Sequence, residues 1–218
     1  MYVGRIVAVG CTQSGKAAAM YRVSSRSFPN RRAMVQDSCA AIVPKPGFEG
    51  DVMKNPYIAY NCLRLVDNIA VATNGSQTDP IAEKIESGMS IRDALVTVLS
   101  ALDYEKDDYN TPRIAAIADP DAQTGYLGIV RHDALHVQAF ELTPGKAHYV
   151  CTYEHNRTSD DYCDSAFDCA DAEAACRYIL GKGIFAEMEK PVSSACAVHT
   201  AGDGYEVAAI DASVAQPE

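Results

Sequence analysis

The sequence predicts an α+β protein in which helices cover antiparallel sheets. Strand-like segments follow one another in runs, on either side of paired helices, whereas a parallel sheet would alternate single strands with helices. The chain has 218 residues, of which 48% are hydrophobic, and this is enough for one substantial core. No linker rich in proline, glycine or serine divides the sequence. We therefore expect a single domain over residues 1–218.

The first part of the chain is predicted to consist of strands. Residues 2–9 alternate in hydrophobicity, and residues 18–23 form the returning strand of a hairpin after the turn sequence CTQSGK. Residues 33–43 are expected to form one further strand, which the sequence PKPG ends. Residues 57–73 are rich in β-forming side chains and end at NGS.

Helical periodicity appears in the middle of the chain. Residues 78–87 are predicted to form a short helix. From Ile91 to Leu102 the apolar residues recur at i, i+3, i+4 and i+7, which is typical of an amphipathic helix packed on a core. Ser90 and Asp93 have nearly the spacing and the chemistry of a capping box, so this helix is expected to begin after Ser90.

Strands return after Pro112, and one more helix interrupts them. Turn sequences separate four strand-like runs. These runs are residues 113–118, 125–131, 134–142 and 147–153. Residues 168–180 are predicted to be helical, with Asp168 and Gly181 as the caps. Residues 194–199 and 205–210 are predicted to form a hairpin around the sequence AGDG.

The charge and the cysteine pattern exclude several classes of function. A net charge of −10 would repel phosphate polymers over most of the surface, so we expect no nucleic-acid partner and no membrane partner. The sequence shows no secretory signal, which predicts a cytoplasmic protein. The eight cysteines are scattered without zinc-site spacing, and the acidic tract 159–173 has the composition of a solvated loop. No metal site is expected.

One segment, residues 21–32 (YRVSSRSFPNRR), is cationic in spite of the acidic composition. It contains four of the eleven arginines and no acidic residue. These arginines are Arg22, Arg26, Arg31 and Arg32, with Asn30 in the turn between them. A guanidinium group offers a fork of donors that matches phosphate oxygens, and the serines add neutral donors. The segment is therefore predicted to bind a phosphomonoester; the alternative is that these arginines pair with surface carboxylates.

A second group of polar residues lies at strand ends and in the turn before a helix. Tyr60, Asn74 and Ser76 belong to it. Amide side chains in such places are able to read the edge of a heterocycle. Turn and capping duties explain Asn74 and Ser76 equally well.

A third group follows the helix at residues 91–102 and leads into a strand. Glu105, Asn110 and Arg113 belong to it, together with two tyrosines. A carboxylate beside phenols at this position is suited to proton transfer, and the alternative is a solvated loop.

Together and in this order, the segments resemble the archaeal-type IMP cyclohydrolase family. The matching stretches are MYVGRIVAVG, YRVSSRSFPNRR, ATNGSQTDP and LDYEKDDYNTPRIA, all within the first 120 residues. The resemblance implies a hydrolase of cyclic amidines that runs toward ring closure. Its substrate would be the purine ribonucleotide 5-formamidoimidazole-4-carboxamide ribonucleotide (FAICAR), which loses water to form IMP. The resemblance further implies that the enzyme uses no cofactor, and that it assembles as a homo-oligomer such as a tetramer.

The resemblance also implies a fold, and the reaction that it implies suggests a set of residue roles. The fold is a four-layer αββα sandwich similar to that of the N-terminal nucleophile hydrolases, but without their nucleophile, because the chain begins Met1-Tyr2. From the chemistry of this reaction we assign Glu105 as the general base or acid and Tyr60 as the phenol donor to the developing oxyanion. Asn74 and Arg113 are the other catalytic residues and orient the base or stabilise charge. The substrate-binding residues are Arg22, Arg26, Asn30, Arg31, Ser76 and Asn110. The alternative function is a non-catalytic purine nucleotide sensor on the same scaffold. A second alternative, an amide hydrolase of the related fold, is disfavoured because Met1-Tyr2 supplies no N-terminal nucleophile.

Overall fold

The computed structural model describes residues 1–200, 202 and 204–215. It contains thirteen strands and five α-helices in these residues. In chain order they are β1 (Ile6–Cys11), β2 (Ala17–Ser24), β3 (Arg31–Gln36), β4 (Cys39–Pro44), α1 (Asp51–Lys54), β5 (Tyr60–Val66), β6 (Ile69–Thr73), α2 (Thr78–Glu86), α3 (Ile91–Leu102), β7 (Arg113–Asp119), β8 (Thr124–Arg131), β9 (Ala134–Glu141), β10 (Lys146–Cys151), β11 (Cys163–Asp164), α4 (Ala172–Gly181), β12 (Pro191–His199), β13 (Tyr205–Asp211) and α5 (Ala212–Ala215).

The strands form two antiparallel sheets. A six-stranded sheet has the order β11-β10-β1-β2-β12-β13, and a seven-stranded sheet runs from β3 to β9 in sequence order. In the six-stranded sheet, β1 and β2 pair as the predicted hairpin, with Ile6 opposite Arg22. Both strands are buried along their whole length. The predicted α+β class with antiparallel sheets is confirmed.

The two sheets face each other across one core, and helices pack on their outer faces. Side chains such as Val7, Tyr21 and Leu63 fill the space between the sheets. The helix α4 packs on the outer face of the six-stranded sheet, and α2 and α3 pack on the outer face of the seven-stranded sheet. Gly128 in β8 allows α3 to approach closely, because a Cβ there would lie 2.8 Å from a methyl carbon of Leu99.

The predicted helices at residues 78–87 and 91–102 are confirmed by α2 and α3. The Ser90 side chain accepts a hydrogen bond from the Asp93 amide at 3.2 Å, and so caps α3 as predicted. The helix α4 begins at Ala172, four residues later than predicted. Its N-cap is Asp171, whose carboxylate accepts from the Ala174 amide at 2.7 Å.

Two of the predicted strands differ in the structure. The segment 33–43 is a hairpin of β3 and β4, because Asp37 adopts a left-handed conformation (φ 52°) and turns the chain. Aspartate tolerates this conformation better than most residues do. The first strand begins at Ile6 and not at residue 2, since Gly4 has φ 72°. The other predicted strands are present within a few residues, although residues 201 and 203 of the last turn lie outside the described part.

The described residues show no disulfide, since all eight cysteines are free thiols. No described helix is long and apolar enough to cross a membrane. Within residues 1–200, 202 and 204–215, no group of three or more His, Cys, Asp or Glu side chains is arranged to hold a metal ion.

Candidate functional site

A cleft of about 310 Å³ opens where the amino-terminal segment meets the loops that follow β2 and α3. Its volume is at the lower end of the range for small-molecule sites. The wall residues are Tyr2, Arg5, Ser25, Arg26, Ser27, Phe28, Arg31, Asn55, Tyr57, Ile58, Asp107, Tyr109 and Tyr153. Arginine and tyrosine side chains dominate the polar part of this wall, so the cleft is suited to an anionic ligand that has hydrogen-bonding groups.

The loop between β2 and β3 gives the cleft its hydrogen-bond donors. Arg31, the first residue of β3, is only 3% exposed and donates from Nε to the Phe28 carbonyl at 3.1 Å. Its two terminal nitrogens have no hydrogen-bond partner within the described residues. The Ser25 hydroxyl accepts from the Phe28 amide at 2.9 Å, which leaves its proton available to a ligand. The wall around Arg31 therefore offers unpaired donors of the kind that an anion needs, and the anion site stays a prediction.

Arg26 lies at the outer edge of the same wall. Its guanidinium carbon is 4.1 Å from the centre of the Tyr2 ring, and a terminal nitrogen is 3.5 Å from a carboxylate oxygen of Glu189. The side chain is 59% exposed. An exposed ion pair of this kind contributes little stability, so Arg26 remains free to reorient toward a ligand.

Beneath the wall, a buried pair of phenols joins the two sheets. The hydroxyl groups of Tyr21 in β2 and Tyr60 in β5 are 2.6 Å apart. Burial raises the pKa of Tyr60, and the nearby guanidinium groups of Arg31 and Arg5 act in the opposite direction. Tyr60 does not line the cleft itself. It lies close enough to Arg5 and Arg31, which do line the cleft, for their charges to lower its pKa.

A second buried pair lies beside the first. Arg5 donates from Nη2 to Glu105 Oε2 at 2.6 Å, and the Glu105 side chain is only 1% exposed. Burial raises the pKa of Glu105, against the opposing effects of Arg5 and Arg113. The attraction of Glu105 and the phenols outweighs burial and raises the pKa of Arg5. Glu105 Oε1 and Arg5 Nε have no hydrogen-bond partner among the described residues. A raised carboxyl pKa is what proton transfer near neutral pH requires.

Arg113 adds a further cation behind Glu105. Its Nη1 donates to Gln77 Oε1 at 3.0 Å, and its Nε donates to the Asp103 carbonyl at 2.9 Å. Gly75 lies against this group, because a Cβ there would come within 2.7 Å of Gln77 Oε1 and 2.9 Å of Arg113 Nη1. The side chains of Gln77 and Arg113 are thus packed so closely against Gly75 that no space remains for a methyl group there.

The structure contradicts the placement of Arg22 in the binding site. Residue 22 points away from the cleft, toward the end of α4, and is fully buried. Its guanidinium group donates to the backbone carbonyls of Ile179, Leu180, Phe185, Met188 and Glu189. Burial lowers the pKa of Arg22 to about 10. Arg22 therefore anchors the last turn of α4 and the segment that follows it, and its side chain does not line the cleft.

Asn74 also differs from its predicted role. Its side-chain oxygen accepts from the Ile114 amide at 2.8 Å and from Gln77 Nε2 at 2.7 Å, while its nitrogen donates to the Pro112 carbonyl at 2.9 Å. The residue is fully buried and does not line the cleft. Asn74 therefore holds the chain beside Arg113, through Pro112 and Ile114, and its side chain does not line the cleft.

Three more of the predicted ligand contacts lie off the cleft wall. Ser76 and Asn110 are exposed, and Asn110 has φ 49° in the turn around Asp107. The Asn30 carbonyl accepts from the Lys45 amide at 2.9 Å, beside the first pair of the β3–β4 hairpin. Of the ten predicted site residues, only Arg26 and Arg31 belong to the wall; Tyr60, Glu105 and Arg113 lie directly behind it.

Sequence reasoning missed Arg5, Tyr21, Asp107 and Tyr153. Arg5 and Glu105 are 100 positions apart in the chain, and nothing in the local pattern of either residue indicates the other. Tyr21 is the first residue of the cationic segment, and the alternation of neighbouring side chains in a strand places it on the face opposite Arg22.

The fold and the cleft together define a class: an α+β protein with two facing antiparallel sheets and a buried, arginine- and tyrosine-rich site suited to a small phosphorylated ligand. Comparison with known proteins gives the particular family. The family described as IMP cyclohydrolase-like protein matches residues 2–204, and the chain belongs to this family. The family resemblance predicted from the sequence is confirmed.

Curated relatives match nearly the whole chain. A protein of Methanosphaera stadtmanae named IMP cyclohydrolase is 47% identical over 208 residues, which cover 95% of this chain and 98% of the relative. Proteins with the same name from Methanocaldococcus jannaschii and Methanocella arvoryzae are 45% and 46% identical, each over 95% of this chain and over 98% and 96% of the relatives.

Proposed function

We propose that the chain is an IMP cyclohydrolase that closes the ring of FAICAR to form IMP and water. Near full-length similarity to proteins of that name supports an enzyme over a non-catalytic nucleotide sensor. The observation that carries the chemistry is the contact of the wall residue Arg5 with the buried Glu105, beside the Tyr21–Tyr60 pair. A site that only binds an anion needs arginines such as Arg31, but no buried carboxylate of raised pKa behind them.

The reaction needs orientation, charge stabilisation and proton movement. The carboxamide nitrogen attacks the formyl carbon, the carbonyl oxygen becomes an oxyanion, and the resulting carbinolamine loses its hydroxyl as water. Both reacting groups belong to one molecule, and good alignment of such groups contributes roughly 7 to 11 kcal/mol. A cleft that fixes the phosphate at one end therefore supplies a large part of the rate.

The described residues divide these tasks among them. Arg31 and Arg26 bind the 5′ phosphate with the Ser25 hydroxyl, because all three residues line the cleft and come from the short segment between the end of β2 and the start of β3. Arg5 lies at the inner end and stabilises the developing oxyanion with Tyr60 behind it. Glu105 transfers a proton, since burial raises its pKa and one of its oxygens remains without a partner. The charge of Arg113 limits this increase in pKa, and the hydrogen bond from Arg5 orients the carboxylate.

The proposal extends to the architecture. The outer helices and the facing sheets correspond to an αββα sandwich similar to that of the N-terminal nucleophile hydrolases, formed by a single domain. A cytoplasmic homo-oligomer, such as a tetramer, is the proposed state of the enzyme.

Turnover of FAICAR tests the function directly. Purified protein is mixed with FAICAR in the presence of a chelator, and the formation of IMP is followed by chromatography. We expect stoichiometric conversion at a rate far above that without protein, and a strong decrease with Arg31→Met. If wild-type protein binds IMP but does not accelerate ring closure, the chain is the nucleotide sensor and the proposed enzyme is wrong.

A further inference from the structure

The cleft wall carries acceptors as well as donors. Asp107, in the loop after α3, lines the cleft, and so does Tyr153, which follows β10. They lie apart from the loop of Arg26 and Arg31 in sequence, and neither was assigned a role by the cationic pattern. The hydrogen bonds around Thr111, which links the two, fix the direction in which each group is able to interact with a ligand.

Asp107 is held rigidly by its own loop. Its Oδ1 accepts from the amides of Tyr109 at 3.2 Å and Thr111 at 2.9 Å, and its Oδ2 accepts from the Thr111 hydroxyl at 2.7 Å. A carboxylate has about four lone-pair positions, so these three bonds leave capacity for a ligand. The carboxylate of this wall residue is therefore a preoriented acceptor.

The same bonds determine the role of Tyr153. The Thr111 hydroxyl has one proton, and it donates this proton to Asp107. Toward the Tyr153 hydroxyl, which is 3.0 Å away, Thr111 is therefore only an acceptor. Tyr153 must donate to Thr111, and its remaining lone pairs are acceptors for the cleft. The ring is fixed in place by stacking on Tyr2, at 5.9 Å between centroids.

The donors and the acceptors of the wall thus suit different parts of a ligand. Arg26, Arg31 and Ser25 present donors to a phosphate, whereas Asp107 and Tyr153 present acceptors. In a 5′-phosphorylated nucleoside, the donor groups closest to the phosphate are the ribose hydroxyls, and a carboxylate is a common partner for them. We propose that Asp107 and Tyr153 bind the ribose hydroxyls and make the site selective for ribonucleotides over deoxyribonucleotides. This inference rests on the proposed function, since it takes the ligand to be IMP and its precursor.

Titration calorimetry with IMP and its 2′-deoxy and 3′-deoxy analogues tests the inference. Wild type is expected to bind IMP roughly 10- to 100-fold more tightly than at least one of the analogues, because a hydrogen bond to a charged group is lost. Asp107→Asn and Tyr153→Phe should each reduce this ratio to within a few-fold of unity. Thr111→Val should reduce this ratio too, because Tyr153 then no longer donates its proton to residue 111. Thr111→Ser keeps the hydroxyl group and should keep the ratio.

The outcomes separate this inference from the function on which it rests. If wild type converts FAICAR but binds IMP and both analogues equally, ribose selection by this wall is wrong while the enzyme stands. A ratio that stays unchanged in Asp107→Asn and Tyr153→Phe, with both variants folded by circular dichroism, also overturns it. If wild type neither converts FAICAR nor binds IMP, the proposed function itself is wrong.

Discussion

The hydroxyls of Tyr21 and Tyr60 are 2.6 Å apart, and their hydrogen bond joins the six-stranded sheet to the seven-stranded sheet inside the core. Both rings belong to the apolar cluster between the sheets. Within the described residues, neither hydroxyl has another hydrogen-bond partner. The pair is therefore a polar contact in an apolar layer, and each hydroxyl is the hydrogen-bond partner of the other.

Removal of both phenolic hydroxyls should cost less than the two single removals added together. Tyr21→Phe or Tyr60→Phe leaves one buried hydroxyl without a partner, and we expect each to lower the free energy of unfolding by about 1 to 3 kcal/mol. The double variant removes both polar groups and should cost clearly less than the sum of the single changes. Urea unfolding of the three variants measures this. Strict additivity would show that the two hydroxyls do not interact.

Glu105→Gln should separate chemistry from binding. The amide keeps the shape of the side chain but cannot carry the charge, so turnover should decrease by roughly 10² to 10⁴. The affinity for IMP should change little, because Glu105 lies behind the wall. Stopped-flow turnover and calorimetry give the two quantities, with Glu86→Gln at the exposed end of α2 as the control. Unchanged turnover would remove Glu105 from the mechanism.

The raised pKa of Glu105 also predicts the pH dependence of stability. In the folded protein the carboxyl keeps its proton to a higher pH than in the unfolded chain, where the pKa is about 4.3. Over that interval the folded state binds more protons, so the free energy of unfolding decreases as pH rises. We expect the difference in this free energy between wild type and Glu105→Gln to be flat below about pH 4 and to fall above it. A difference that rises with pH would contradict the direction of the shift.

Arg22 and Arg31 should respond in opposite ways to substitution. Arg22→Met leaves several buried carbonyls without donors but removes a buried charge, so we expect a net loss of about 2 to 3 kcal/mol in unfolding free energy. The affinity of the Arg22→Met variant for IMP should equal that of wild type. Arg31→Lys keeps the charge but loses the planar fork, and should weaken IMP binding about tenfold with little effect on stability. Weaker binding in Arg22→Met would restore the role predicted from the sequence.

Gly75 provides a test of the polar packing behind the wall. In Gly75→Ala the new Cβ must displace the side chains of Gln77 and Arg113, and we expect a loss of about 1 to 3 kcal/mol in unfolding free energy. Turnover should fall as well, because these side chains border Glu105. Gly181→Ala is the matched control: a Cβ there meets no atom within 4 Å, and a helical position gains up to about 1 kcal/mol. Equal effects of the two substitutions would contradict close packing at Gly75.

Local patterns predicted the elements of the fold well. The helix α3 was predicted with its observed limits, because its apolar stripe and the Ser90 cap are both written in consecutive residues. The hairpin of β3 and β4 was missed because a left-handed Asp37 costs little and leaves no gap in a β-forming stretch. Such turns depend on the backbone of one residue, and composition does not reveal them.

The site was harder to predict, because burial and not composition decides which polar groups face the cleft. All eight residues of β2 are buried, so the strand offers no exposed face from which to tell Tyr21 and Arg22 apart. Arg22 was predicted to bind a ligand because its side chain is charged. In the structure it donates hydrogen bonds to backbone carbonyls instead. The Arg5–Glu105 pair depends on tertiary packing across 100 positions, which periodicity cannot report.

The anchoring of the segment after α4 has a consequence for how this region tolerates change. Every bond that Arg22 makes there is to a main-chain oxygen, from Ile179 to Glu189, and none is to a side chain. The identity of those amino acids is therefore free to vary, provided that the path of the chain is kept. Insertions or deletions between α4 and β12 would displace the oxygens, loosen β2 and carry the disturbance to Tyr21 on its opposite face.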